Sequence, residues 1–151
     1  MRLIVYSDYL CPWCFNASVR LRRLEAEYDG RVELEWRSYL LRPERRTFSD
    51  LEAALEKFRA YSRSWARVGA DGDGDGGTFS AWSSDTGPPV SSIPAHGVSK
   101  AARALGPDAF GAMHDRLFRA YFGESQDISS TAVLVALWQE LGLPEKGFDR
   151  A

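Results

Sequence analysis

The chain has two cysteines, and both fall in one tetrapeptide, Cys11-Pro12-Trp13-Cys14, where an apolar strand runs out and a helix should begin. Two residues of spacing on the first turn of a helix bring both sulfurs within reach of one small-ring disulfide. Pro12 suits the first helical position, because its fixed φ is helical and its missing N–H would have had no partner there. The more N-terminal thiol then faces unpaired backbone N–H groups at the positive end of the helix, which favour its thiolate over its thiol. Thiolate is the reactive species, so a pair placed this way predicts thiol–disulfide chemistry at Cys11 and Cys14. Asp8, three residues upstream, is a candidate proton relay, although an acid near a helix start more often serves as a cap or a turn residue. Trp13 reads either as an apolar contact for substrate beside the sulfurs or as an aromatic packed on its own helix. It brings no positive charge, so it stabilises a thiolate less than a histidine there would.

Metal chemistry is a poorer fit to the same residues. Zinc would need two ligands beyond the cysteines, and the only histidines, His96 and His114, lie far downstream on predicted helices. Both read as ordinary surface or boundary histidines. Asp71, Asp73, Asp75 and Gly76 match the first half of a calcium-binding loop, but its twelfth position falls on Trp82, where a bidentate glutamate is required. No cofactor or metal is expected beyond the redox-active cysteine pair itself.

The elements that must position the pair follow from periodicity. Leu3 to Tyr6 form a continuous apolar run, the pattern of a strand buried on both faces. Cys14, Ala17, Leu21, Leu24 and Tyr28 recur at helical spacing, which predicts a helix from Pro12 to Tyr28 that ends near Gly30. Val32, Leu34 and Trp36 then alternate with charged residues, as in a strand with one wetter face. Strand, helix and strand with short links imply a right-handed parallel crossover with the cysteines at the carboxyl end of the first strand. Ser49 and Glu52 form a capping-box pattern ahead of an amphipathic stripe from Leu51 to Val68. Residues 69–89, rich in Gly, Asp, Ser and Pro, predict a flexible, solvated loop. Helices are expected from Pro94 to before Gly106, from Asp108 to Phe122 and from Thr131 to Leu141, with another opening at Pro144. Phe58, Trp65, Phe118 and Trp138 read as core.

Composition excludes several classes of function. With 151 residues and 44% of them hydrophobic, the chain can bury one ordinary core. The 19 basic residues are dispersed and the formal charge is -2, so neither nucleic acid nor a membrane surface is an expected partner. No apolar run reaches the length of a bilayer span, and the chain opens directly into its first strand with no room for a signal peptide. With no cysteine left for a structural crosslink, the expected location is the cytoplasm.

Ser7-Asp8-Tyr9-Leu10-Cys11-Pro12-Trp13-Cys14 after an N-terminal strand resembles the DsbA-like thioredoxin-fold oxidoreductases, nearest to their cytosolic FrnE-like branch. Pro94-Ala95-His96 and Leu117-Phe118-Arg119-Ala120-Tyr121-Phe122, leading to Asp127-Ile128-Ser129, resemble that family's helical insert. The fold this implies is α/β, a partial thioredoxin-like fold with an N-terminal β-α-β unit over 1–45 and an α-helical insert lobe over 46–151. The resemblance implies thiol–disulfide exchange, with Cys11 as attacking thiolate, Cys14 as resolving thiol, and Pro12 and Trp13 as substrate contacts. Substrates would be protein or small-molecule thiols and disulfides, and a reducing poise favours reductase or isomerase work over net oxidation. The family's cis-proline loop, β-hairpin and last helix have no counterpart, so the chain reads as a fragment, and two strands alone would leave open edges suited to self-association. The kappa-class glutathione transferases and 2-hydroxychromene-2-carboxylate isomerases share the fold but carry serine where Cys11 stands. A non-catalytic binding module that uses the Trp13 surface is the remaining alternative.

Overall fold

The computed structural model describes residues 1–72 and 75–149. β1 (Arg2–Ser7), α1 (Pro12–Glu27) and β2 (Glu33–Ser38) form the predicted crossover, with the strands parallel and in register from Arg2 opposite Glu33 to Ser7 opposite Ser38. Asp29 and Gly30 turn the chain after α1 with φ of 39° and 74°. β1 departs from the expectation of burial on both faces. Leu3 and Val5 are half-buried, whereas Ile4 and Tyr6 are 50% and 60% exposed, because among the described residues only one face of this two-stranded sheet is covered.

The helical part comprises α2 (Leu51–Ser62), α3 (Trp65–Gly69), α4 (Ile93–Leu105), α5 (Pro107–Phe122), α6 (Thr131–Glu140) and α7 (Glu145–Phe148). Two sequence expectations are corrected here. The cap of α2 is Asp50, whose carboxylate accepts the Ala53 N–H at 2.9 Å, so Ser49 and Glu52 do not form a capping box. The stripe from Leu51 to Val68 is also split, since Ser62 Oγ donates to the Arg59 carbonyl at 2.8 Å and accepts the Trp82 N–H at 2.8 Å. α4 and α5 meet at Gly106, whose φ of 134° is accessible to glycine at little cost.

Residues 75–89 carry no helix or strand, as their composition predicts, but they are not a solvated loop. Gly77 lies so close to the Phe15 ring that a Cβ would stand 2.5 Å from it, its N–H donates to Asn16 Oδ1 at 2.8 Å, and Trp82 is 3% exposed. Glycine serves close approach here rather than flexibility. Asp71 and Asp75 pair with Arg20 and Arg23 of α1, so these two acids of the calcium-like pattern neutralise a helix face, while Asp73 lies outside the described residues. No group of three His, Cys, Asp or Glu side chains among the described residues is arranged to hold a metal ion.

One core joins the two parts of the chain. Phe15 of α1 stacks on Phe118 and Phe122 of α5 with ring centroids 5.3 and 5.7 Å apart, and Tyr9 lies in the same cluster as Phe58, Trp65, Trp82 and Tyr121. Trp138 caps the far end against Phe148. Among the described residues no helix is long and apolar enough to cross a membrane.

Candidate active site

The site is built by the four residues between β1 and α1. The Cys11 N–H donates to the Asp8 carbonyl at 3.1 Å, which closes a turn and delivers Cys11 as the N-cap of α1 with extended φ and ψ. Its sulfur accepts the Cys14 N–H at 3.3 Å, so a helix-end donor of the predicted kind is spent on the Cys11 sulfur. Cys14 sits one turn on, packed against the core, and both thiols are free. Trp13 points outward and is 56% exposed, which is the arrangement a substrate contact needs.

The two thiols ionise as a pair. Cys14 is drawn down to about 6, first because its sulfur accepts the S–H of Cys11; burial opposes this, and the Asp8 backbone N–H and the Ser7 hydroxyl assist it. The charged Asp8 carboxylate works the other way. Cys11 is pushed up in turn, by the proton it holds against Cys14 and by burial. The pair as a whole therefore loses its first proton well below the ordinary thiol range and its second well above it. The sequence places the thiolate on Cys11; in this arrangement the hydrogen bond between the sulfurs leaves the charge on Cys14.

Asp8 is 1% exposed. Its carboxylate accepts the Leu10 N–H at 2.6 Å and the Leu41 N–H at 2.7 Å. Burial alone would raise its pKa, but the His96 imidazole, the two N–H groups and the Ser92 hydroxyl outweigh burial and hold it below the ordinary carboxylate value. Asp8 is thus a buried, ionised acid that ties the turn before Cys11 to the segment after β2.

The histidines are where sequence reasoning fails. Neither is a surface residue, since His96 is 7% and His114 2% exposed. Tyr9 donates to Ser99 Oγ at 2.6 Å, His114 Nδ1 stands 2.9 Å from the Tyr9 hydroxyl, and Ser18 Oγ stands 2.9 Å from His114 Nε2. With Tyr9 donating to Ser99, the network assigns the His114 proton to Nδ1 and leaves Nε2 to accept from Ser18. Burial, with Arg22 and Arg103 adding positive charge nearby, lowers His114 to about 3, so the ring is neutral. Tyr9, Ser18, Ser99, His96 and His114 carry no sequence signal of this role, because every partner is remote along the chain. Beside them opens a cavity of about 300 Å³ next to Ser7, with Tyr9, His96, Lys100 and Arg103 among its lining residues and, among the described residues, no carboxylate.

Residues 2–72 match the model of the DSBA-like thioredoxin domain. Among solved structures, the cytosolic disulfide reductase DsbM from Pseudomonas aeruginosa is 27% identical with a TM-score of 0.74, over 99% of this chain and 69% of that one. The same protein solved with GSH matches at 26% identity and a TM-score of 0.73, over 99% of this chain and 70% of the other. A probable DsbA oxidoreductase from Streptomyces coelicolor shares the fold at 24% identity and a TM-score of 0.72, over 99% of this chain and 66% of that one. No curated protein matches the chain in sequence. The Cys-x-x-Cys pair at Cys11 and Cys14 falls inside the segment that matches the DSBA-like thioredoxin domain, in a fold that superposes along almost its whole length on these solved structures.

Proposed function

We propose that the protein exchanges disulfides with thiol substrates, as a reductase or isomerase more than as a net oxidant, in the cytoplasm. The observation that carries this reading is Cys11 placed as the N-cap of α1 with its sulfur accepting the Cys14 N–H at 3.3 Å, both thiols free; the Cys14 thiol drawn down to about 6 agrees with it. Transfer of a proton from the Cys11 sulfur to the Cys14 sulfur makes Cys11 the nucleophile. It attacks a substrate disulfide, forms a mixed disulfide and releases one substrate thiolate. Cys14 then gives up its proton and attacks the Cys11 sulfur. The second substrate thiolate leaves, and the Cys11–Cys14 disulfide remains; two electrons have passed to the substrate, and an external thiol returns them.

Cys11 is the attacking sulfur in this scheme because it is the N-cap beside the exposed Trp13, whereas Cys14 packs against the core. Trp13 and Pro12 supply the surface on which substrate lies, and Asp8 relays protons for the pair. The P. aeruginosa relative was solved with GSH, and a small thiol bearing carboxylates suits the cation-lined, acid-free cavity beside Ser7. Glutathione and protein disulfides are therefore the substrates to test.

Alkylation of the reduced protein across pH, with Cys11→Ser and Cys14→Ser alongside, tests the reading. One thiol should react with an inflection near about 6, and Cys14→Ser should accumulate a mixed disulfide with oxidised glutathione. Slow, equal reaction of both cysteines with an ordinary thiol inflection would sink it, and unaltered behaviour after both thiols are blocked would favour a binding module instead.

A further inference from the structure

Where α2 meets the segment after β2, three cations surround one cavity. It measures about 400 Å³, and Arg42, Arg46 and Lys57 line it together with Phe48, Phe58 and Tyr61. Among the described residues no carboxylate lines it, and none of the three cations forms an ion pair. Beside α1 the chain does otherwise. Of Arg22, Arg23 and Arg119 around a second cavity, Asp115 pairs with the first and Asp75 with the second. Like charges held together without a counter-ion repel one another, so an anion is the partner that the α2 cavity lacks.

The backbone holds these cations in place. The Arg42 N–H donates to Ser92 Oγ at 3.0 Å, its carbonyl accepts the Ser92 N–H at 2.9 Å, and its guanidinium donates to the Pro89 carbonyl at 2.6 Å. The Arg46 N–H donates to the Val90 carbonyl at 2.9 Å, so residues 42–46 run pinned against 89–92. Arg42 is half-buried, and burial first, with the Arg46 charge second, lowers its pKa from the ordinary arginine value. One bond to a carbonyl leaves most of the guanidinium's N–H donors without a protein partner among the described residues. Across the cavity, Ala54, Lys57, Phe58 and Tyr61 follow one another by three or four residues, which is one face of α2. Phe58 is buried beneath that face, whereas Tyr61 is 52% exposed with its ring centroid 6.0 Å from that of Phe58. Aromatic walls opposite a half-buried guanidinium take a planar ring and a charged group at once.

We propose that this cavity between α2 and residues 42–48 binds a small aromatic dianion, of which an aryl phosphate is the simplest. The phosphate takes Arg42, Arg46 and Lys57, whose combined charge suits a dianion better than a lone carboxylate, and the ring lies against Phe48 and Tyr61. The site shares no lining residue with the cavity beside Ser7. It is nevertheless joined to the turn before Cys11, since Leu41, the residue before Arg42, donates its N–H to the Asp8 carboxylate.

Calorimetric titration of the full chain with phenyl phosphate, inorganic phosphate and phenol tests the ring and the charge separately. Phenyl phosphate should bind saturably, about two- to tenfold tighter than inorganic phosphate, the usual worth of an aromatic contact, and phenol should bind more weakly than either. Arg46→Gln and Lys57→Gln, at exposed positions, should each weaken phenyl phosphate about two- to fivefold, and Arg42→Gln about tenfold or more. Tyr61→Ala should erase the advantage of phenyl phosphate and leave inorganic phosphate unchanged. Melting temperatures identify any variant that loses its fold; if Arg42→Gln does, the exposed positions carry the test alone. No saturation by phenyl phosphate at about 10 mM, equal affinity for inorganic phosphate or phenol, or unaltered binding in Arg46→Gln and Lys57→Gln would overturn the proposal.

Discussion

Three groups favour the Cys14 thiolate, the Cys11 thiol, the Asp8 backbone N–H and the Ser7 hydroxyl. Of these, the Ser7 hydroxyl is a side-chain donor that can be removed without touching either cysteine. A hydrogen bond to a charged group is worth about 1.5–3 kcal/mol, and a tenfold change in ionisation corresponds to about 1.4 kcal/mol. Ser7→Ala should therefore slow alkylation near pH 6 by about tenfold or more while leaving the rate at alkaline pH, where the thiolate is fully formed, unchanged. Equal slowing at every pH would mean that Ser7 shapes access and not ionisation. The placement of the cysteines, Pro12 and Trp13 at the start of α1 was legible in the sequence because it depends on neighbours within one helical turn. Ser7 and His96 were not. Ser7 looked like the last residue of a strand, and the acid that gives His96 its meaning lies 88 positions away.

At the scale of elements, the turn before Cys11 is fastened to three helices through the Tyr9 hydroxyl and one neutral imidazole. Tyr9 meets Ser99 of α4 and His114 of α5, and His114 meets Ser18 of α1. Burial holds the His114 pKa at about 3 in the folded protein, whereas the unfolded chain has an ordinary histidine near 6.5. Between those values the unfolded state binds more protons, so stability rises with pH through this window. The contribution is complete above about 6.5 and is lost progressively as pH falls towards 3, an effect on the order of a few kcal/mol. Urea midpoints measured from pH 7 to pH 4 should fall more steeply for the wild type than for His114→Gln, which keeps polar contacts but has no proton to gain. Parallel pH profiles would remove His114 as an acid-sensitive fastening. The crossover and the long helices were readable because apolar spacing repeats along them, and Gly30 marked a turn that the chain does make. The segment 75–89 was misread because Gly77 looks the same whether glycine is there for freedom or for contact; its reason is the Phe15 ring, which no local pattern reveals. Ser49 and Asp50 are adjacent capping residues, and only the backbone geometry selects Asp50.

On the scale of the whole molecule, the sequence reads as two parts, a β-α-β unit and a helical lobe, yet the packing runs through both. Phe15 belongs to α1, and the aromatic surfaces that cover it, Phe118 and Phe122, belong to α5. Phe118 is fully buried and also touches Tyr9 and His114, so one side chain links the turn before Cys11, α1 and the histidine network. Phe118→Ala should destabilise the fold by about 3–5 kcal/mol, the usual loss for a fully buried phenylalanine whose surroundings relax only in part. Because the same cavity would open under both parts, helical circular dichroism and cysteine accessibility should report one shared transition, shifted together to lower denaturant. Independent units would behave differently: the helical signal would move, while the cysteines stayed protected to the original midpoint. Coincident curves would mean that the helical lobe holds the dithiol in its reactive geometry as well as lying beside it. The placement of the two sulfurs would then depend on a core that lies mostly outside the matched segment 2–72.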